Sequence, residues 1–380
     1  MEFRDLKRQY NKIENQINSA IKNVLINTDF ISGSQVKLLE NRLADYVGVK
    51  HCITCANGTD ALSLVLMAWD IKSGEAIFVP SFTFFATAEV VSLRGATPVF
   101  VDVDHKTFNM DYLDLERKIV RTQKEGKIIP KAIIPVDLFG LPANYMEIER
   151  IAKKYNLKIL EDGAQGFGGS INGKKACSFG DASTTSFFPA KPLGCYGDGG
   201  AIFTNDDSLA KLIRSLAVHG KGYDKYDNVR IGINSRLDTL QAAILDVKLD
   251  VFIEHELESV NKISLLYNKY LADYVVTPEI SHNYVSSFAQ YTIKLKSKYE
   301  RDFIQKMLDE EGVPNMIYYK KPLHKQLAFA DVNSDDNTLK VTNELADTVL
   351  SLPMHPYLSE SEVIDICKLI TKNLERKKSL

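Results

Sequence analysis

Residues 51–69, with the sequence HCITCANGTDALSLVLMAW, contain the repeating unit that decides the fold. The first residues alternate as a buried strand does, and those after Asn57 have the apolar spacing of a helix. Further short apolar runs alternate with helical stretches such as 83–94 and 143–155. Short strands that alternate with helices predict repeated βαβ units, and therefore an α/β fold with a mainly parallel sheet. Ligands of such sheets bind at the carboxyl ends of the strands, so we expect the functional residues there.

A second, smaller domain is predicted in the C-terminal part of the chain. Residues 236–271 form a long helical stretch, and the pattern is interrupted near Pro278. After the interruption, the sequence predicts a strand near 289–295 and helices near 299–311, 340–350 and 360–373. We therefore expect a large domain over residues 1–250 and a small α/β domain over residues 251–380.

The composition is that of an ordinary globular protein, and it excludes several other classes. With 45% hydrophobic and 25% charged residues, the chain does not resemble a disordered or fibrous protein. Its 47 Lys and Arg nearly cancel its 49 Asp and Glu, so no overall charge would attract nucleic acid or an anionic membrane. The sequence has no run of about 18 apolar residues, and its first ten residues, MEFRDLKRQY, lack the apolar region of a signal peptide, so we expect no secretion signal. We expect neither nucleic acid nor a membrane as a partner.

The five cysteines point to a reducing compartment, and we expect a cytoplasmic protein. Cysteines that are few and odd in number argue against a disulfide framework. Cys52 and Cys55 form a C-x-x-C pair, but no second Cys or His pair lies nearby to complete a zinc site. We expect both to be buried in a strand. The seven histidines show no metal-binding spacing either, so no metal is expected.

The most informative segment, SFFPAKPLGCYGDGG at residues 186–200, places Lys191 between an aromatic strand and a glycine-rich turn. Apolar neighbours disfavour the charged ammonium and lower the pKa of a lysine. A lysine that forms a Schiff base with a cofactor or substrate needs such an environment. The alternative is an ordinary solvated lysine beside a turn.

Two further strand ends carry residues suited to a cofactor. Asp162 ends the apolar run LKILED, where its carboxylate could pair with a protonated pyridine nitrogen or merely cap a turn. Gly58 and Thr59 follow another strand and open a helix. Free backbone N–H groups at a helix start suit a phosphate, with the Thr59 hydroxyl helping, although Asn57 could equally be a plain N-cap.

Six motifs occur in the order found in a known family. They are NGTDAL (57–62), SFTF (81–84), EDGAQ (161–165), SFFPAK (186–191), GDGGA (197–201) and NSRLD (234–238). On these motifs, the chain resembles the DegT/DnrJ/EryC1/StrS family of sugar aminotransferases from about residue 3 to residue 370. The resemblance implies a type I aminotransferase fold, pyridoxal 5'-phosphate as the cofactor, and glutamate and a nucleotide-linked keto-sugar as substrates.

The resemblance also assigns roles to individual residues. Lys191 matches the catalytic lysine that bonds the cofactor, Asp162 the partner of the pyridine nitrogen, Gln165 a neighbour of the ring, and Phe84 a cover over the ring. The implied contacts to the cofactor phosphate are Gly58, Thr59, Ser186 and, from the second subunit of a homodimer, Asn234. The active site would therefore be shared between two subunits.

Within the family, the match is strongest to aminotransferases that act on UDP-linked 3-keto-N-acetylhexosaminuronates for surface polysaccharide. Arg236 could bind the sugar carboxylate with two hydrogen bonds, or pair with a local acid such as Asp238. Tyr318 stands where that subgroup has a histidine. This difference removes a possible cation and leaves open an uncharged UDP- or dTDP-linked keto-6-deoxy sugar. The substrate contacts implied by position are Arg236, Tyr318, Tyr319 and His324, with His219 as a further candidate at the rim.

Two other functions fit an α/β chain with many glycines. An NAD-dependent oxidoreductase would need G-x-G-x-x-G between the first strand and its helix, and this chain has none there. A regulator that binds the cofactor without turnover is the second alternative. The absence of a basic helix-turn-helix pattern argues against a form of that regulator that binds DNA.

Overall fold

The computed structural model describes residues 1–224, 226–332 and 336–378. The helices are α1 (Leu6–Asn27), α2 (Ser34–Val47), α3 (Gly58–Ala68), α4 (Ala86–Leu93), α5 (Tyr112–Glu125), α6 (Tyr145–Tyr155), α7 (Asp207–Leu216), α8 (Thr239–Val251), α9 (Leu257–Leu271), α10 (Lys298–Glu310), α11 (Lys340–Thr348) and α12 (Glu360–Lys378). The strands are β1 (His51–Cys55), β2 (Glu75–Pro80), β3 (Thr97–Val101), β4 (Ile129–Ile133), β5 (Lys158–Asp162), β6 (Ser170–Ile171), β7 (Lys174–Lys175), β8 (Ala182–Ser186), β9 (Gly200–Thr204), β10 (Tyr284–Val285), β11 (Tyr291–Lys294) and β12 (Val349–Leu352). Within these described ranges, no helix has both the length and the apolar character needed to cross a membrane.

The large domain is built on a seven-stranded sheet with the strand order β1-β9-β8-β5-β4-β2-β3. Strand β9 is antiparallel to both of its neighbours, β1 and β8. The remaining pairs are parallel. All strands except β9 therefore run in one direction and end at one edge of the sheet. The expected α/β fold with a mainly parallel sheet is confirmed.

Helices cover both faces of this sheet, which explains why its strands are apolar on both sides. All six residues of β2 are buried. Ile77 packs in one core cluster with Leu64 of α3, whereas the next residue, Phe78, packs with Leu115 of α5 and Ile148 of α6. Parallel strands covered on both faces show continuous apolar runs of this kind. Each fully buried side chain contributes about 1.5–3 kcal/mol of burial free energy.

The C-terminal part of the chain has its own core. The predicted helical stretch 236–271 is present as α8, a π-helical turn at Phe252–Glu256, and α9. Beyond it, β11 and β12 pair as a two-stranded antiparallel sheet against α9, α10 and α12. In this core the rings of Tyr267 and Tyr291 stack with centroids 4.6 Å apart. The separate core supports the boundary near residue 251, which we propose as the division between the domains.

Two predicted helices have different ends in the structure. The helix expected over 83–94 begins at Ala86, so Phe84 lies in a non-helical segment that follows β2. The helix expected over 340–350 ends at Thr348, because Val349 leaves it to pair with Lys294 of β11. Both differences arise from tertiary contacts at strand ends, which helix periodicity does not report.

A pair of acidic side chains, Asp137 and Glu161, lies buried behind the carboxyl end of β5. Asp137 Oδ1 accepts a hydrogen bond from the Tyr145 hydroxyl at 2.8 Å, and Glu161 Oε2 accepts one from the Ser183 hydroxyl at 2.7 Å. Burial, followed by the charge of Glu161, raises the pKa of Asp137, and the two carboxyl groups are within hydrogen-bonding reach. Among the described residues, Asp137 Oδ2 otherwise has no hydrogen-bond partner. A proton held on this atom would let it donate a hydrogen bond to Glu161.

Replacing this acid, Asp137→Asn, should flatten the dependence of the unfolding free energy on pH. Because its pKa is raised on folding, the folded chain keeps a proton that the unfolded chain releases above about pH 4. Stability is therefore lost as the pH rises from there towards the folded pKa. Asparagine still accepts from Tyr145 and donates to Glu161, but it does not titrate.

Urea unfolding at about pH 5 and about pH 8 measures this dependence. Asp347→Asn, at an exposed position on α11, is the matched control and should follow the wild-type chain. Equal losses of stability in wild type and Asp137→Asn would show that no proton is shared by the acid pair.

Candidate active site

The start of α3 forms a cup suited to an anion. Asn57 caps this helix, because its side chain accepts a hydrogen bond from the N–H of Asp60 at 2.8 Å. The N–H groups of Gly58 and Thr59, in the first turn, have no acceptor within the helix. Ser186, at the end of β8, lies directly against Gly58, since a Cβ added there would be 2.7 Å from the Ser186 Cβ. The structure thus brings together the three residues expected to hold a phosphate from one subunit.

Asp162 ends β5 at the same edge of the sheet and is buried. Its Oδ2 accepts a hydrogen bond from the Thr87 hydroxyl at 2.8 Å, and its Oδ1 accepts from the N–H of Ala164 at 3.2 Å. Burial raises the pKa of Asp162, while these two hydrogen bonds and the charge of Lys191 act in the opposite direction. A buried carboxylate of this kind favours a cationic N–H as its next partner. Nothing in the sequence indicates that Thr87 supports this carboxylate.

Lys191 lies in the loop after β8, with its own N–H donating to the Phe188 carbonyl at 2.8 Å. Burial lowers the pKa of Lys191, the carboxylate of Asp162 raises it, and the cation of Arg4 lowers it. The net shift is downward, as its apolar neighbours in the sequence predict. A lowered pKa raises the fraction of the lysine that is neutral near pH 7, and only the neutral amine can act as a nucleophile or accept a proton.

Gln165 connects the end of β5 to the C-terminal part of the chain. Its Oε1 accepts from the N–H of Phe139 at 2.7 Å, and its Nε2 donates to the Tyr319 hydroxyl at 3.0 Å. The Tyr319 ring lies 6.5 Å from the ring of Phe84, which is 56% exposed. Phe84, Gln165 and Tyr319 therefore form one wall of the site.

Tyr318 and His324 are close to this wall but differ in exposure. The half-buried Tyr318 has its ring 5.6 Å from that of Tyr319, and burial raises its pKa. His324 is buried, with Nδ1 at 2.6 Å from the Ser81 hydroxyl. This contact makes His324 a support for the segment that carries Phe84. Direct contact of either residue with a sugar stays a prediction.

Asn234 and Arg236 lie on the segment before α8 and make no described contact with Lys191. Asn234 is exposed, whereas the intervening Ser235 is buried and accepts a hydrogen bond from the N–H of Ala56 at 3.0 Å. Arg236 is half-buried, and among the described residues it forms no ion pair with Asp238. The local ion pair considered from the sequence is therefore absent from this part of the structure. His219, the other rim candidate, is exposed.

Pyridoxal phosphate fits this set of residues. The cup at α3 matches a phosphate because the N–H groups of Gly58 and Thr59 open the helix, and the lack of a side chain on Gly58 lets Ser186 pack directly against it. The buried carboxylate of Asp162 matches the pyridinium nitrogen, and Lys191 supplies an amine with a lowered pKa. Residues 11–371 match the model of the DegT/DnrJ/EryC1/StrS aminotransferase family.

Individual proteins similar to the chain include enzymes and a regulator. A UDP-2-acetamido-2-deoxy-3-oxo-D-glucuronate aminotransferase from Pseudomonas aeruginosa is 47% identical, with 98% of this chain and 99% of that protein covered. A pleiotropic regulatory protein from Geobacillus stearothermophilus is 42% identical, with 94% of each covered.

Solved structures agree with this relationship. A DegT DnrJ EryC1 StrS aminotransferase from Brucella abortus is 50% identical, with a TM-score of 0.95 over 98% of this chain and 99% of that one. NtdA from Bacillus subtilis with bound cofactor PMP is 28% identical, with a TM-score of 0.87 over 96% of this chain and 82% of that one. The expected type I aminotransferase fold is confirmed, and the chain belongs to the DegT/DnrJ/EryC1/StrS aminotransferase family.

Proposed function

We propose that this pyridoxal-phosphate-dependent aminotransferase transfers the amino group of glutamate to a UDP-linked 3-keto-N-acetylhexosaminuronate. The observation that carries the proposal is the placement of Lys191 and Asp162 at one edge of the sheet, each with a pKa shifted by burial and by the other's charge. The name of the Pseudomonas aeruginosa relative contains 3-oxo-D-glucuronate, which supports this choice of substrate. The product would enter surface polysaccharide synthesis, including O-antigen and lipopolysaccharide.

The residues of one subunit supply most of the cofactor seat in this proposal. Gly58, Thr59 and Ser186 hold the phosphate, and Asp162 pairs with the pyridine nitrogen. Thr87 holds the Asp162 carboxylate in place through its hydroxyl hydrogen bond. In the same proposal, Phe84 lies over the ring, Gln165 lies beside it, and Lys191 is bonded to it. Asn234 of the partner subunit makes the remaining contact.

The proposed mechanism uses Lys191 as both the anchor and the proton carrier. When bound, the cofactor supplies an electron sink for the carbanion that forms at the substrate carbon. Lys191 Nζ, once released from the cofactor, accepts the proton from Cα of glutamate because its lowered pKa favours the neutral amine. In the second half of the reaction, the same atom delivers a proton while the keto-sugar is aminated. Asp162 keeps its negative charge beside the ring through both halves.

A homodimer with shared active sites is part of this proposal. Several large apolar residues before α8 and near the N-terminal helices are exposed, namely Phe30, Ile31, Leu38, Tyr223, Tyr226, Val229 and Ile231. Exposed apolar residues that form a contiguous patch mark surfaces that bind another protein. Asn234 is also exposed and has no described contact with Lys191 of its own chain. A partner subunit would bury these residues and bring Asn234 to the neighbouring site.

The same proposal includes the cytoplasm as the compartment. All five cysteines are free and buried, including Cys52 and Cys55, which suits a reducing environment.

The alternative of a cofactor-binding regulator is favoured by the Geobacillus stearothermophilus relative. Lys191 and Asp162, on which the proposed first half-reaction depends, are both present in this chain. Glutamate should therefore shift the cofactor absorbance of this protein, whereas a sensor without turnover would give no such shift.

A panel of UDP- and dTDP-linked keto-sugars, assayed with glutamate, tests the substrate. If Arg236 binds the uronate carboxylate, the 3-keto-uronate should be preferred over 4-keto-6-deoxy sugars by roughly fifty-fold in kcat/KM. This factor corresponds to about 2–3 kcal/mol for a lost charge-assisted contact. Arg236→Ala should remove most of the preference. The control Arg121→Ala, at an exposed position on α5, should keep it.

The rival substrate is an uncharged UDP- or dTDP-linked keto-6-deoxy sugar, aminated at C3 or C4. It is favoured by Tyr318, which offers a single hydroxyl hydrogen bond and no positive charge. Wild-type turnover of the 6-deoxy sugars that equals or exceeds turnover of the uronate would refute the uronate. The aminotransferase itself would be unaffected by that result.

Mixing two inactive variants tests the shared site. Lys191→Ala and Asn234→Ala should each be inactive, but a hybrid dimer has one site with both residues intact. Because half of randomly paired dimers are hybrids with one intact site of two, recovery of about one quarter of wild-type activity is expected. Lys191→Ala mixed with Asp162→Ala is the matched control, since both residues belong to one chain's site. That mixture should stay inactive, and equal behaviour of the two mixtures would contradict the shared site.

A further inference from the structure

The N-terminal arm, residues 1–5, reaches the loop that carries Lys191. Arg4 Nη2 donates to the Lys191 carbonyl at 2.7 Å and to the Pro192 carbonyl at 3.2 Å. These contacts join residues that are 187 and 188 positions apart in the sequence. Arg4 is half-buried, and burial lowers its pKa while the charge of Glu256 raises it.

The arm is itself fixed to the C-terminal domain. The Phe3 carbonyl accepts a hydrogen bond from the N–H of Met354 at 3.2 Å, and the Phe3 ring lies 6.2 Å from that of Tyr318. Just after the arm, Arg8 donates to the Tyr357 carbonyl at 2.9 Å and pairs with Glu362 at 2.7 Å. Arg4 therefore acts from an anchored segment and does not have to order a free terminus.

Arg4 completes the hydrogen bonding of the peptide groups around Lys191. The N–H of Lys191 donates to the Phe188 carbonyl at 2.8 Å, which fixes the peptide before its Cα. Arg4 binds the carbonyl on the other side, which fixes the peptide after it. With both flanking peptides held, the Cα–Cβ bond of Lys191 has a defined direction. The long side chain of Lys191 therefore extends from a fixed point on the main chain.

We propose that Arg4 is a positioning residue of the amino transfer, which holds the main chain of Lys191 so that the amine meets cofactor and substrate. The inference rests on the proposed role of Lys191 and adds a residue that lies outside all six family motifs. Small displacements of a reacting group slow a reaction steeply, so the hydrogen bonds from Arg4 matter for rate even though Arg4 touches no reacting atom.

The charge of Arg4 has a second consequence at the same place. Its cation lowers the pKa of Lys191 and opposes the carboxylate of Asp162, which raises it. Arg4 thereby increases the neutral fraction of the amine on which proton transfer depends. Loss of the Arg4 charge should shift the titration of Lys191 to higher pH. An effect on folding alone would leave that titration in place.

Three variants separate these effects. Arg4→Met removes both the hydrogen bonds and the charge, whereas Arg4→Lys keeps the charge but ends one bond short of Nη2. Lys7→Met is the matched control, because it removes an exposed cation from the adjoining first turn of α1. In the holoenzyme, Arg4→Met should lower kcat with glutamate about tenfold and change KM less than about twofold. Lys7→Met should match the wild type.

Two measurements on the cofactor-free chain give readouts besides activity. Hydrogen exchange in a peptide that covers residues 190–195 should be faster in Arg4→Met and Arg4→Lys than in Lys7→Met. Trace acetylation of Lys191 with acetic anhydride at several pH values should show a titration shifted to higher pH in Arg4→Met. In Arg4→Lys the titration should stay near that of the wild type, because the charge is kept.

The results test the positioning role of Arg4 separately from the proposed aminotransferase function. Wild-type kcat in Arg4→Met, or exchange at 190–195 as slow as in Lys7→Met, would overturn the inference. If Arg4→Met fails to fold, Arg4→Lys is decisive: unchanged kcat and exchange would overturn the positioning role. If wild type shows no turnover of glutamate, the proposed function has failed. The exchange and acetylation results still decide whether Arg4 holds the Lys191 loop.

Discussion

Two ionisable side chains of opposite charge, the buried Asp162 and the half-buried Lys191, lie at the same edge of one sheet. Burial disfavours the charged form of each, whereas the opposite charge of the other favours it. An unpaired buried charge is costly, so the opposite charge of the other residue stabilises each group, and two hydrogen bonds further stabilise the carboxylate. Thr87 and Ala164 serve the carboxylate, and Arg4 and Phe188 hold the main chain of the lysine. The sheet makes the arrangement possible, since its strands end together.

Much of this architecture is readable from the sequence. The strands of the large domain appear as short apolar runs because helices cover both faces of the sheet, and β2 is buried along its whole length. Lys191 and Asp162 are recognisable because each follows such a run. Gly58 is recognisable because a helix starts there. At these positions the sequence pattern that marks the end of a strand or the start of a helix also marks the site, because the site residues lie at the ends of strands.

The supporting contacts are not readable in the same way. Arg4 and Lys191 are distant in sequence, and no spacing rule connects an arginine near a terminus with a loop after β8. Thr87 looks like an ordinary helix residue, and the acid pair of Asp137 and Glu161 depends on β5 packing beside the segment after β4. Asn234 and Arg236 are different again. In our proposal the target of Asn234 lies in the partner subunit and that of Arg236 is a substrate, so the structure of one chain leaves both as predictions.

Reduction of the holoenzyme with borohydride, followed by peptide mapping, tests the assignment of the cofactor-bearing lysine. A pyridoxyl group fixed on Lys191 is the result that the structure predicts. Lys248 is the sharpest internal comparison, because it is buried and its pKa is also lowered, to about 8, mainly by burial. Lys248 instead lies 4.9 Å from the centroid of the Tyr196 ring. A pyridoxyl group on Lys248, or on an exposed lysine such as Lys174, would contradict the assignment.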